Sequence, residues 1–231
     1  MAKKINIKGD IVQNNDKWIY EWLGIEATSP KDVQKALEDA NGQDIEVEIN
    51  SGGGDVFAGS EIYTALRGYK GNMVISIVGV AASAASVIAM AGKSQITPTG
   101  LFMMHNVYGR AEGDYRAMDH TSEVLKTANQ AIANAYKAKT GLSDKALKDL
   151  MDRETWMSAE EVVKNKFIDG VMFETPKQAV SIYNGFGGIP PEAIAKIKNQ
   201  VKKPDVENNG PDFLLQTKLN ILKLKGDMKD E

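Results

Sequence analysis

Ser83 stands in the run Gly79-Val80-Ala81-Ala82-Ser83-Ala84-Ala85-Ser86, where an apolar stretch gives way to small residues. If that stretch is a buried strand and the alanines open a helix, Ser83 lies beside unpaired backbone amides and the positive end of the helix dipole. A hydroxyl so placed can attack a carbonyl, and the Ala84 amide can stabilise the oxyanion that results. Serine is also a common helix cap, so the placement acquires chemical meaning only with a base. Of the two histidines, His105 follows the apolar Leu101-Phe102-Met103-Met104, at the point where a strand leaves the core, and suits that role. His120 lies among polar residues of a long helical stretch and is read as structural. Ser86, one turn into the alanine helix, is expected to return its hydroxyl to the preceding turn.

Gly52-Gly53-Gly54 has neither the Walker lysine nor the spacing of a dinucleotide fingerprint, so nucleotide binding is set aside. Three glycines allow close backbone approach and present amides, which suits a second oxyanion donor beside an extended peptide. A tight turn is the plain alternative. An acid to orient the base is sought in Met151-Asp152-Arg153-Glu154, where Asp152 and Glu154 are both candidates. The order serine, histidine, acid and the absence of glycines flanking Ser83 disfavour an α/β-hydrolase elbow.

These residues need strands and helices to hold them. A short strand is expected over 5–7, then a helix opened by Ser29-Pro30-Lys31-Asp32 and stopped by Asn41-Gly42. A second strand over 45–49 runs into the glycine loop 50–54, after which Asp55 caps a helix to about Tyr69. Residues 73–78 read as a buried parallel strand and 83–92 as a helix of small residues. Short strands near Ile96 and over 101–104 precede a long helix over about 114–139, with Met118, Leu125, Ile132 and Tyr136 along one face. Alternating strands and helices argue for an α/β fold. Two domains are expected, a main one over 1–175 and a linker-rich helical tail over 176–231. Within the tail, 185–191 and 203–211 are linker-like, and 213–225 aligns Leu215, Leu219 and Leu222 on one helix side.

Composition narrows the class. The chain has 231 residues, 28 basic against 31 acidic side chains and no cysteine. No basic stripe suggests a nucleic-acid partner, and neither disulfides nor thiolate metal sites can form. No metal and no cofactor are expected, and no Walker motif is present, so any ATPase would be a separate chain. The start lacks a long apolar signal region, and 74–92 is broken by serines and glycines, so the chain reads as soluble, cytoplasmic and without a membrane partner.

The chain resembles the ClpP peptidases, and more closely the ClpP-related phage and prophage proteases that mature capsid precursors. The resemblance spans about 5–173. It rests on Ile49-Asn50-Ser51-Gly52-Gly53-Gly54, on 79–83, on Met104-His105-Asn106, and on Glu154-Thr155-Trp156-Met157-Ser158-Ala159-Glu160-Glu161. It implies a ClpP/crotonase-like spiral of βαβ units with a protruding handle helix over 114–139. It further implies Ser83 as nucleophile, His105 as base, Glu154 as third triad member, and the amides of Gly54 and Ala84 as oxyanion hole. Ring-shaped homo-oligomers, heptameric or double heptameric, and a polypeptide substrate such as a capsid or scaffold protein complete the implied picture. The chain departs from the family pattern at Gly52, where proline is usual, and at Glu154, where aspartate is usual. Two rival functions are a crotonase-type acyl-CoA enzyme and a catalytically silent ring-forming capsid scaffold.

Overall fold

The computed structural model describes residues 2–174. The expected domain boundary near 175, the linkers and the 213–225 helix lie outside the described residues.

An eight-stranded sheet organises the chain, and it is parallel except at one strand pair. Strand β1 (Lys3–Ile11) buries Ile5, Ile7 and Ile11. Helix α1 (Lys17–Leu23) and the short β2 (Ala27–Thr28) follow. Ser29 then opens α2 (Pro30–Ala40) through a capping box with Asp32, and Asn41 closes it at φ 47°. These are the start and stop residues read from the sequence. Strand β3 (Ile45–Gly54) alternates buried and open positions from Ile45 to Gly54. Asp55 caps α3 (Val56–Arg67) by accepting a 2.7 Å bond from the Ala58 amide.

Strand β4 (Met73–Ala82) sits at the centre, between β3 on one side and two partners on the other. Its first half pairs with β5 (Lys93–Ile96), and Val80–Ala82 pair with β6 (Leu101–Met104). Ile49 and Ile77 face each other across the β3–β4 ladder and are fully buried. Each such side chain contributes about 1.5–3 kcal/mol by leaving water, and Ile77→Ala would cost about 2–5 kcal/mol through the void it leaves. The helix after β4 is brief: α4 (Ala84–Ile88) passes into a 3-10 turn at Ala89–Ala91.

Helix α5 (Tyr115–Thr140) has 26 residues and is therefore about 39 Å long. Asp114 caps its start, and only Ala133, Ala135 and Tyr136, near its end, are buried. Helix α6 (Asp144–Asp152), strand β7 (Thr155–Ser158), helix α7 (Ala159–Lys164) and strand β8 (Gly170–Val171) complete the unit. Strand β7 is the antiparallel exception, and it pairs with β6.

The α/β class is as the sequence indicates, but α1 and β2, between the first strand and α2, are additional to the expected elements. Several boundaries differ: β1 runs over Lys3–Ile11 where 5–7 is expected, and the helix of small residues ends at Ile88 where 92 is expected. Residues 50–54 are not a free loop, because the end of β1 offers them backbone partners, with Asp10 beside Gly53 and Ile11 beside Gly54. The 73–78 strand continues to Ala82, because β6 pairs with its extension.

Candidate active site

Ser83 joins the end of β4 to the first turn of α4 with φ 53° and ψ −123°, a conformation a side-chain-bearing residue adopts at a cost of about 1–3 kcal/mol. Its backbone is held on both sides. The Ser83 amide donates to the Met103 carbonyl at 3.0 Å, and the Ser83 carbonyl accepts from the Ser86 amide at 3.0 Å and the Ser86 hydroxyl at 2.6 Å. Ser86 thus turns back on the preceding turn, and its hydroxyl also pairs with that of Tyr136 at 2.7 Å. Complete burial pushes the Tyr136 phenol well above its usual range, partly opposed by Ser86, so this wall stays neutral.

The sharp turn needs small neighbours. A Cβ on Gly53 would lie 2.7 Å from Ser83 Cβ, and one on Gly59 would lie 2.9 Å from Ala84 Cβ. Gly54 adopts φ 145°, and a Cβ there would meet the Ile11 carbonyl at 2.1 Å. The glycines fit the backbone of the strand end against the serine turn.

His105 is the first residue beyond β6, and its Nε2 lies 2.8 Å from Ser83 Oγ. Ladder pairing delivers it, since Val80–Ala82 of β4 run beside Leu101–Met103 of β6. Both side chains border a cavity of about 540 Å³, together with Gly54 and Ala84. The Ala84 amide opens α4 and has no partner within that helix. Val87, Val124, Leu125 and Ile132 form an apolar wall, while the exposed rings of Phe57 and Tyr108 stand at the rim. Neither rim aromatic was singled out in the sequence. Phe57, a large apolar residue in the first turn after the Asp55 cap, was the available signal.

The two acids are placed differently. Glu154 directly precedes β7, whose Thr155 pairs with Met104, the residue before His105. Glu154 has φ 49°, and its carboxylate accepts from Trp156 Nε1 at 3.3 Å. Asp152 accepts from Asn106 Nδ2 at 2.9 Å and pairs with Lys148; the Asn106 bond, with Lys148 beside it, holds its carboxyl below the usual range. Among the described residues no hydrogen bond joins His105 to either acid. His120 is exposed on α5 and takes part in none of these contacts. The described residues include no helix long and apolar enough to cross a membrane, and no acidic or histidine cluster that could hold a metal.

A strained serine on a strand-to-helix turn, an imidazole at hydrogen-bond distance and amides beside a cavity can together perform acyl transfer. Comparison with known proteins agrees. The Clp protease family matches residues 31–175. Over 138 residues the chain is 33% identical to the ATP-dependent Clp protease proteolytic subunit 1 of Chlamydia trachomatis, covering 57% of this chain and 71% of that protein. The corresponding subunit of Deinococcus radiodurans is 34% identical over 137 residues, covering 58% and 67%. That of Bacteroides fragilis is 32% identical over 137 residues, covering 58% and 66%. The chain belongs to the Clp protease family and is a ClpP-like serine peptidase, a hydrolase.

Proposed function

We propose that the chain is an endopeptidase in which Ser83 is the nucleophile, His105 the general base and Glu154 the third member of the triad. The observation that carries this reading is the 2.8 Å contact between His105 Nε2 and Ser83 Oγ at the cavity. His105 takes the hydroxyl proton as Ser83 Oγ bonds to the peptide carbonyl carbon, and negative charge moves to the carbonyl oxygen. The amides of Gly54 and Ala84 are the donors assigned to that oxygen. Collapse breaks the C–N bond, with the amine taking the proton from His105, and water then releases the acyl group by the same steps. Glu154, one residue before the Thr155 that pairs with Met104, is assigned to orient the imidazole and stabilise the imidazolium. The apolar wall of Val87, Val124, Leu125 and Ile132 favours a large apolar side chain on the acyl side of the cleaved bond.

The finer assignment, maturation of a phage or prophage capsid precursor, rests on the motif resemblance at 49–54, 79–83, 104–106 and 154–161. We assign the protein a ring-shaped homo-oligomer, supported by the exposed Met118 and Val124 on a helix half that buries nothing within its own chain. Any unfolding ATPase would be a separate chain.

A fluorophosphonate probe followed by peptide mapping tests the chemistry. Labelling is expected at Ser83 alone, and Ser83→Ala or His105→Ala should each lower peptide hydrolysis on the order of a thousandfold or more. Unlabelled, well-folded protein would favour a silent scaffold instead.

A further inference from the structure

This inference rests on the assignment of His105 as base. A base must be held within about half an ångström of its working position. Residues 105–113, which begin with His105, form neither helix nor strand. They therefore lack the ladder bonds that fix β6 one residue earlier. Two side-chain bonds take over that task. The Val107 amide donates to Asn129 Oδ1 at 2.7 Å, and Asn106 Nδ2 donates to Asp152 Oδ1 at 2.9 Å. The first acceptor belongs to α5 and the second to α6, helices that pack against each other.

The placement of Asn129 is specific. Leu125 and Ala128 of α5 border the cavity that holds Ser83, whereas Asn129 and Gln130 border a second cavity of about 590 Å³. Helix α5 is thus the partition between the two, and Asn129 reaches the base segment from that partition. Asn129 and Val107 are both half-buried, so water competes incompletely for the Val107 amide. A backbone donor two residues beyond the imidazole, once freed, would let the start of 105–113 drift. The 2.8 Å contact to Ser83 would then be only one of several arrangements.

We propose that Asn129 is a positioning residue for catalysis, holding His105 against Ser83 by accepting the Val107 amide. It touches neither substrate nor the reacting atoms, so its effect falls on the chemical step and not on substrate affinity.

The test compares Asn129→Ala, Asn129→Leu and Asn129→Asp with the parent full chain, with Gln130→Ala as the neighbour that lines the same cavity but bonds to no residue of the base segment. Fluorophosphonate labelling of Ser83 and hydrolysis of a short fluorogenic peptide are measured at equal molecular mass. Losing one such hydrogen bond should slow labelling and kcat by roughly five- to tenfold, with KM within twofold. Asn129→Leu, which retains the side-chain bulk, should show the same loss. Asn129→Asp keeps an acceptor oxygen in place and should recover to within about threefold of the parent, and Gln130→Ala should match the parent. Parent-like rates in Asn129→Ala and Asn129→Leu would overturn the proposal. So would Asn129→Asp as slow as Asn129→Ala, or a loss confined to KM. A parent protein that is never labelled at Ser83 would instead remove the assignment of the base on which the proposal stands.

Discussion

Gly53→Ala probes how tightly the serine turn is built. The added Cβ would lie 2.7 Å from Ser83 Cβ, 2.8 Å from the Ala82 carbonyl oxygen and 3.1 Å from the Ala84 nitrogen, two of the three being backbone atoms. Ordinary contact begins near 3.4 Å, so β3 or the serine turn must withdraw by roughly 0.6–0.7 Å. The native φ of 102° adds a strain of about 1–3 kcal/mol for any residue with a side chain. A displacement near 1 Å at a reacting centre costs about a hundredfold, so a shift of this size predicts a roughly twentyfold fall in the rate of fluorophosphonate labelling. The melting temperature should drop by about 4–8 °C. Gly52→Ala supplies the control, because a Cβ there meets nothing within 4 Å and its φ lies outside the left-handed range. It should label within twofold of the parent at almost unchanged stability. The reasoning is refuted if Gly53→Ala labels as fast as Gly52→Ala.

Glu154→Gln should slow acylation clearly but remain on the order of a hundredfold less damaging than Ser83→Ala, because base and oxyanion donors persist; stopped-flow labelling measures this. Asp152→Asn keeps an oxygen for Asn106 and should lose little, and the reverse ranking of the two acids would reassign the triad. Partial burial pushes the Asp169 carboxyl up, but Lys139 and the Ser94 amide more than offset it, leaving a net lowering. Its stabilising effect is therefore fully present above the ordinary aspartate value of 3.8 and is lost as pH falls below it. Asp169→Asn should lower the melting temperature at pH 7, with the gap to the parent narrowing as pH falls below 3.8, and a constant gap would contradict the assignment.

Much of this was legible because it depends on local rules. The Ser29 and Asp55 caps, the Asn41 stop and the buried run of β4 each follow from a few adjacent residues. Ser83 and His105 stand out in the sequence by their positions at element ends, and the structure sets them 2.8 Å apart, although neither residue alone requires catalysis. What stayed hidden depends on partners distant in sequence. Nothing in residues 50–54 reveals that β1 will pair with them, and nothing around Asn129 announces the Val107 amide. The positive φ of Ser83 has no local signature either, because no glycine flanks it. Here the required space comes from Gly53 and Gly59, which are remote in the chain. Helix α1 escaped notice because it buries none of its residues and leaves Trp18 and Trp22 exposed, so its apolar positions trace no inward face.

The first two-thirds of α5 make separable what most of the chain keeps entangled. Elsewhere a substitution changes folding and activity together, because the side chains near the site also fill the core. From Tyr115 to Ile132 no side chain is buried within its own chain. Variation at outward positions such as Met118 is thus close to silent in the folding of a single chain. Tolerance there, scored across a saturation library once for soluble yield and once for peptide hydrolysis, becomes a direct record of what this helix meets beyond its own chain. Positions neutral in the first score and restricted in the second, apart from Val124, Leu125, Ala128, Asn129 and Ile132, which border the cavity or hold the base segment, would trace that contact residue by residue.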